Sequence, residues 1–247
     1  YLEAGQSDLA MDLFEQTLKF SVGSTFATPG EHTQALTDLA IQANQLGLTE
    51  QATDLRAQVL QLVTTDEAKK TEVNSDGLSM ADALLIGIIS QYLAAEQYDV
   101  ALEMAQAIST PWQTRRLDQI LGWAIPEKRY AVAHEAIQAM ASPEEKTDAI
   151  LRLANHFHKT GQHTRFIESL TEAFEAARMI EQSPESQDQP SVAIASSSRR
   201  YYLRTIALHY AQAGYVKQAV DVAEAIENRA RREPLVQRLR CYAATAA

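Results

Sequence analysis

The 247 residues carry a formal net charge of −10, and only 9 glycines and 7 prolines interrupt a chain rich in alanine, leucine, glutamine and glutamate, a composition that favours helix over sheet. The acidic balance excludes a general affinity for nucleic acid or anionic lipid, both of which draw lysine and arginine to phosphate. One cysteine, Cys241, excludes an internal disulfide, and no apolar run approaches the ~20 residues that span a bilayer.

Taken in order, Tyr1 to Ala4 reads as the tail of a helix broken at Gly5, and Asp8 to Phe20 as a helix with Leu9, Ala10, Leu13, Phe14 and Leu18 on one face. After a loop from Gly23 to Gly30, the pattern predicts a helix from Glu31 to Leu46, closed by Gly47, and its partner from Glu50 to Val63. Residues 65–78 are polar and read as a linker, or as a weak helical extension ended by Asp76-Gly77. Met80 to Ala95 is apolar on several sides, which predicts a helix buried within the array.

The central stretch is tight. A helix from Tyr98 to Ile108 gives way to Thr110 as N-cap and Pro111 at the first helical position, and the same device recurs at Ser142-Pro143-Glu144-Glu145. Helices are expected over Pro111–Ala124, Tyr130–Met140, Pro143–Lys159 and His163–Ile180. Residues 181–198 hold two prolines and several serines without helical periodicity, and read as a flexible loop. Arg199–Ala213, Val216–Glu227 and Glu233–Ala246 complete the chain, the last without a following partner.

One pattern returns through these elements. Aligning the second helices places Ala10, Ala52, Ala101, Ala133, Phe166 and Ala219 in register, with Phe14, Arg56, Ala105, Ile137, Leu170 and Ala223 four residues later. Thr17, Val59, Ile108, Met140, Ala173 and Ile226 follow seven residues after the first set, which gives one mostly apolar stripe. The first helices supply the pairs Leu36/Leu39, Leu85/Ile88, Leu117/Ile120, Ile150/Leu153 and Leu203/Ile206. The unit is ~33 residues long, enlarged where polar loops lie.

With its apolar pair, small residue, aromatic, turn glycine (Gly5, Gly47, Gly161, Gly214) and central alanine, the chain resembles the tetratricopeptide repeat. Glu96 and Lys128 stand where the turn glycine belongs, and Phe166 stands where the alanine does. The resemblance implies an all-α fold: a right-handed α-solenoid of antiparallel helix pairs, about six pairs plus a terminal helix, with first helices lining a concave groove. The expected organisation is a single array over 1–247, with 1–64 and 79–247 as a subdivision about the linker. An opening inside a repeat at Tyr1 is expected of a piece of a longer protein, so the compartment is left unassigned, with the cytoplasm as the default.

Groove-facing positions under the resemblance are Gln34, Thr37, Asn44, Ser90, Arg115, Asp118, Asn155, His158, Lys159, Tyr201 and Arg204. Of these, Arg115, Asn155, His158, Lys159, Tyr201 and Arg204 are the candidate partner-binding residues, since amide and cationic side chains hold peptide backbone and carboxylates through directed hydrogen bonds. The basic residues gather late: from Ser197 onward nine Lys/Arg face four Asp/Glu. This is either drift in surface charge or a basic patch for an acidic partner.

Other chemistry is weighed against simpler readings. His156, His158 and His163 lack the i, i+4 spacing that puts metal ligands on one helix face, so they read as surface or groove histidines. Cys241 carries no nucleophile signature, and no phosphate-binding glycine loop occurs. Trp123 reads as core; Trp112, beside Arg115 and Arg116, is either an exposed anchor or, more simply, a cover for a helix junction. The sequence therefore predicts a noncatalytic module that binds a protein or peptide, without cofactor, metal, nucleic acid or membrane insertion. A structural spacer or self-associating segment is the alternative, and an enzyme on an all-helical scaffold a second one.

Overall fold

The computed structural model describes residues 7–23, 28–65, 78–109, 112–180 and 190–245, and the chain there is helical throughout its regular structure. The helices are α1 (Ser7–Gly23), α2 (Pro29–Gln45), α3 (Thr49–Val63), α4 (Met80–Ala94), α5 (Tyr98–Gln106) and α6 (Trp112–Ala124), then α7 (Tyr130–Ala139), α8 (Pro143–Lys159), α9 (His163–Arg178), α10 (Pro190–Gln212), α11 (Val216–Glu224) and α12 (Arg229–Thr245). The predicted helix tail at Tyr1–Ala4, the Thr110-Pro111 start, most of the 65–78 linker and the first half of the 181–198 segment lie outside the described residues.

Two compact units divide the chain, Tyr1–Val132 and Ala133–Ala247, and the division falls within α7. In the first, α2 and α3 form a hairpin, α4 packs on both, α4 and α5 form the next hairpin, and α6 packs on both of those. The second obeys the same rule: α8 pairs with α9, α10 packs on both, and α12 packs on α10 and α11. Within each unit a first helix thus meets its own partner and the first helix that follows, the packing of an α-solenoid.

The turn inside each hairpin is one motif made five times. Gly47, Glu96, Lys128, Gly161 and Gly214 all have positive φ, between 58° and 84°. In each case the following amide reaches back five residues to a carbonyl: Leu48 to Ala43, Gln97 to Tyr92, Arg129 to Ala124, Gln162 to Phe157 and Tyr215 to Tyr210, at 2.8–2.9 Å. This is the Schellman closure, which satisfies helix-end carbonyls through one left-handed residue. Glu96 and Lys128, which depart from glycine in sequence, therefore keep the backbone geometry of the glycines they replace.

These turns put the repeat positions inside. The first-helix pairs are all buried, as are Ala52, Ala101, Ala133, Phe166 and Ala219 on the second helices. Asp82 is buried too, at the third position of α4. Its carboxylate accepts from Ser79 Oγ at 2.8 Å, Ser109 Oγ at 2.7 Å and the Ser109 amide at 3.0 Å, joining the start of α4 to the segment after α5.

Several sequence expectations are corrected. Helix α2 begins at Pro29 because Thr28 caps it, with a reciprocal bond from Glu31 that makes a capping box. Residues 190–198, read as loop, belong to α10. Helix α12 starts at Arg229 rather than Glu233, since Asn228 Oδ1 accepts the Arg231 amide at 3.2 Å, and Pro234 consequently lies inside the helix. Trp123 is 54% exposed, for it sits roughly 100° around α6 from the stripe of Leu117, Ile120, Leu121 and Ala124. Thr37, placed in the groove by the resemblance, is fully buried and donates to the Thr33 carbonyl at 2.8 Å. Leu9 and Leu13 are 42% and 40% exposed, leaving Phe14 as the buried anchor of α1.

Candidate functional site: an arginine-lined cleft in the second unit

Helix α10 turns Leu203 and Ile206 into the core, which leaves Arg200, Tyr201 and Arg204 on its outer side, the two arginines one turn apart. On α12, Val236 and Leu239 are buried, and Arg231, Pro234, Leu235 and Arg238 follow the i, i+3, i+4, i+7 spacing of a single helix face. The two sets meet. Together with Ile226 and Ala230 they line a cleft of about 540 Å³, within the range of ligand sites.

The junction before α12 is fixed by the Arg231 amide on Asn228 and by the Arg232 guanidinium, which donates to the Ile226 carbonyl at 3.3 Å. Tyr201 and Tyr202 stand edge to face with centroids 5.3 Å apart. Tyr202 is half-buried, and its hydroxyl is pushed above the ordinary phenol range by burial and by carboxylates including Asp148, Glu144 and Glu145. Tyr201, 63% exposed, lines the cleft.

Electrostatically the cleft is one-sided: four arginines line it and, among the described residues, no Asp or Glu does. Nearby carboxylates are engaged elsewhere, Glu224 with Arg240 at 3.5 Å, Glu227 with Arg199 at 3.9 Å and Glu233 with Arg229. Arg200, Arg204, Arg231 and Arg238 make no ion pair among the described residues. Guanidinium groups of this kind hold carboxylates or phosphates bidentately. The floor between them is aliphatic: buried Ile226, half-buried Leu235 and exposed Pro234.

Of the six candidate partner-binding residues, Tyr201 and Arg204 come together here. Asn155, His158 and Lys159 are exposed on α8 but do not line the cleft. His158 turns its ring onto Phe166 at 4.9 Å, and His209 approaches the same ring at 6.2 Å. Arg115 lies in the first unit, its guanidinium 5.8 Å from the Trp112 ring centre. Trp112 is half-buried. Arg200, Arg231 and Arg238 were not among the sequence candidates; their signal was the basic excess after Ser197 together with the one-face spacing on α12.

Among the described residues no helix is long and apolar enough to cross a membrane, and no group of three or more His, Cys, Asp or Glu is placed to hold a metal ion. No protein-family model matches the chain, and no curated protein matches it. Solved structures similar to it are helical repeat proteins. One is a circular tandem repeat protein with novel repeat topology and enhanced subunit contact surfaces, at 14% identity and a TM-score of 0.20, covering 99% of this chain and 47% of that one. The chain thus spans about half the length of that protein. Another is a de novo designed helical repeat protein, DHR64, at 16% identity and a TM-score of 0.16, with 98% and 92% covered. The α-solenoid is defined by the packing of the helices within each unit.

Proposed function

We propose that the chain is a noncatalytic interaction module of tetratricopeptide-like character, which recognises a protein or peptide segment on the outer side of its first helices. The observation that carries this reading is the cleft between α10 and α12, where cationic side chains without ion-pair partners among the described residues rim an aliphatic floor. A solenoid suits the task because each helix pair is held by its neighbours, so outer side chains vary without cost to the core. Buried aliphatic contact supplies affinity in such a site, and charge supplies selection among partners.

The test uses the chain as bait, wild type against Arg204→Glu, an exposed position that lines the cleft. The charge-reversed bait is expected to lose a partner that the wild type retains while melting at the same temperature. An unchanged set of partners would sink the reading.

A further inference from the structure

We infer that the α10–α12 cleft takes a short acidic segment of a partner protein in which an aliphatic side chain lies between two carboxylates. This deepens the interaction reading and rests on it. The cationic rim and the aliphatic floor each demand one part of that ligand. Arg200 and Arg204 on α10, and Arg231 and Arg238 on α12, offer guanidinium groups without ion-pair partners among the described residues. Pro234 and Leu235, between the two α12 arginines, offer no polar side-chain atom, so the middle of the ligand is selected for an apolar group.

Size narrows the ligand further. Arg231 and Arg238 are separated by two helical turns, about 10 Å at ~1.5 Å per residue, and carboxylates two residues apart on an extended chain, about 7 Å at ~3.3 Å per residue, come within reach of both through their flexible side chains. A long polyanion fits less well, because the chain as a whole carries a formal net charge of −10. A concave site also suits a projecting side chain better than the plane of a lipid headgroup layer.

The experiment measures fluorescence anisotropy of a fluorescein-labelled peptide carrying Glu-Leu-Glu within a Gly/Ser frame, against the full chain. Saturable binding is expected, weakened about tenfold or more by Arg231→Glu with Arg238→Glu, as for loss of anchoring contacts. Control peptides with Gln-Leu-Gln and Glu-Ser-Glu are each expected to bind more weakly than Glu-Leu-Glu. Equal binding of either control, no saturation up to about 1 mM, or preferential binding of a DNA oligonucleotide overturns the proposal. So does light scattering that shows a dimer of the chain dissolved by the same double variant, since the occupant would then be a second copy. A partner lost with Arg204→Glu yet not displaced by excess Glu-Leu-Glu peptide would leave the interaction reading standing and remove only this one.

Discussion

At the scale of single residues, Glu96 and Lys128 are the points where side-chain identity and backbone geometry disagree. Both have φ of 58°, a region in which a Cβ crowds the following carbonyl and which glycine enters freely. Glu96→Gly and Lys128→Gly are each expected to raise stability by about 0.5–1 kcal/mol, the relief of strain being partly offset by a more flexible unfolded chain. Urea unfolding checks this, and a loss of stability would mean that the side chains hold the turn. Asp82 acts in the opposite sense. Burial disfavours its charge and is the largest single influence, but hydrogen bonds from Ser109 and Ser79 outweigh it and hold the carboxyl below its ordinary value of 3.8. A carboxyl depressed on folding stabilises the fold fully above its unfolded pKa, and that stability is lost as pH falls through the folded value. Asp82→Ala, which leaves the Ser109 amide without its acceptor, is therefore expected to cost about 1–3 kcal/mol at neutral pH. The gap from wild type should close as pH falls below about 4. Chemical denaturation across that range reads both.

At the scale of elements, the hairpin is the unit that sequence specifies best. Ala101 and Ala219 are fully buried on α5 and α11, where a methyl group is all that the neighbouring helix leaves room for. Ala101→Leu and Ala219→Leu are each expected to lower stability by about 1–3 kcal/mol through overpacking, seen as a lower midpoint in thermal melts. Phe166 holds the same register in α9, where it is buried with the rings of His158 and His209 beside it, so this hairpin accommodates a large side chain. Caps were less legible. The start of α8 at Ser142 and Pro143 follows the expected pattern, whereas Thr28 and Asn228 emerged only with the structure. Threonine and asparagine serve loops as readily as caps, and only the geometry of the following turn separates the two.

At the scale of the whole molecule, charge is distributed rather than balanced. The first unit carries an excess of ten acidic charges and the second none, although its cleft concentrates four arginines. Association of an acidic partner with that cleft is expected to slow as salt rises, because screening shortens from about 10 Å at 0.1 M to about 3 Å at 1 M. Stopped-flow rates that stay constant across that range would show that the arginines do not steer encounter.

The helices of the described residues, the repeat register, the buried stripes and the recurring turn were written in the sequence. Each depends on contacts within one hairpin, where periodicity and spacing map directly onto a helix face. The candidate site was only partly so. Tyr201 and Arg204 followed from repeat alignment, but Arg231 and Arg238 joined them only when α12 folded back on α10. The pairing of Glu224 and Glu227 with arginines of other helices was equally invisible. Which charges are neutralised and which stay available depends on distances between helices, and those distances exist only in the packed chain.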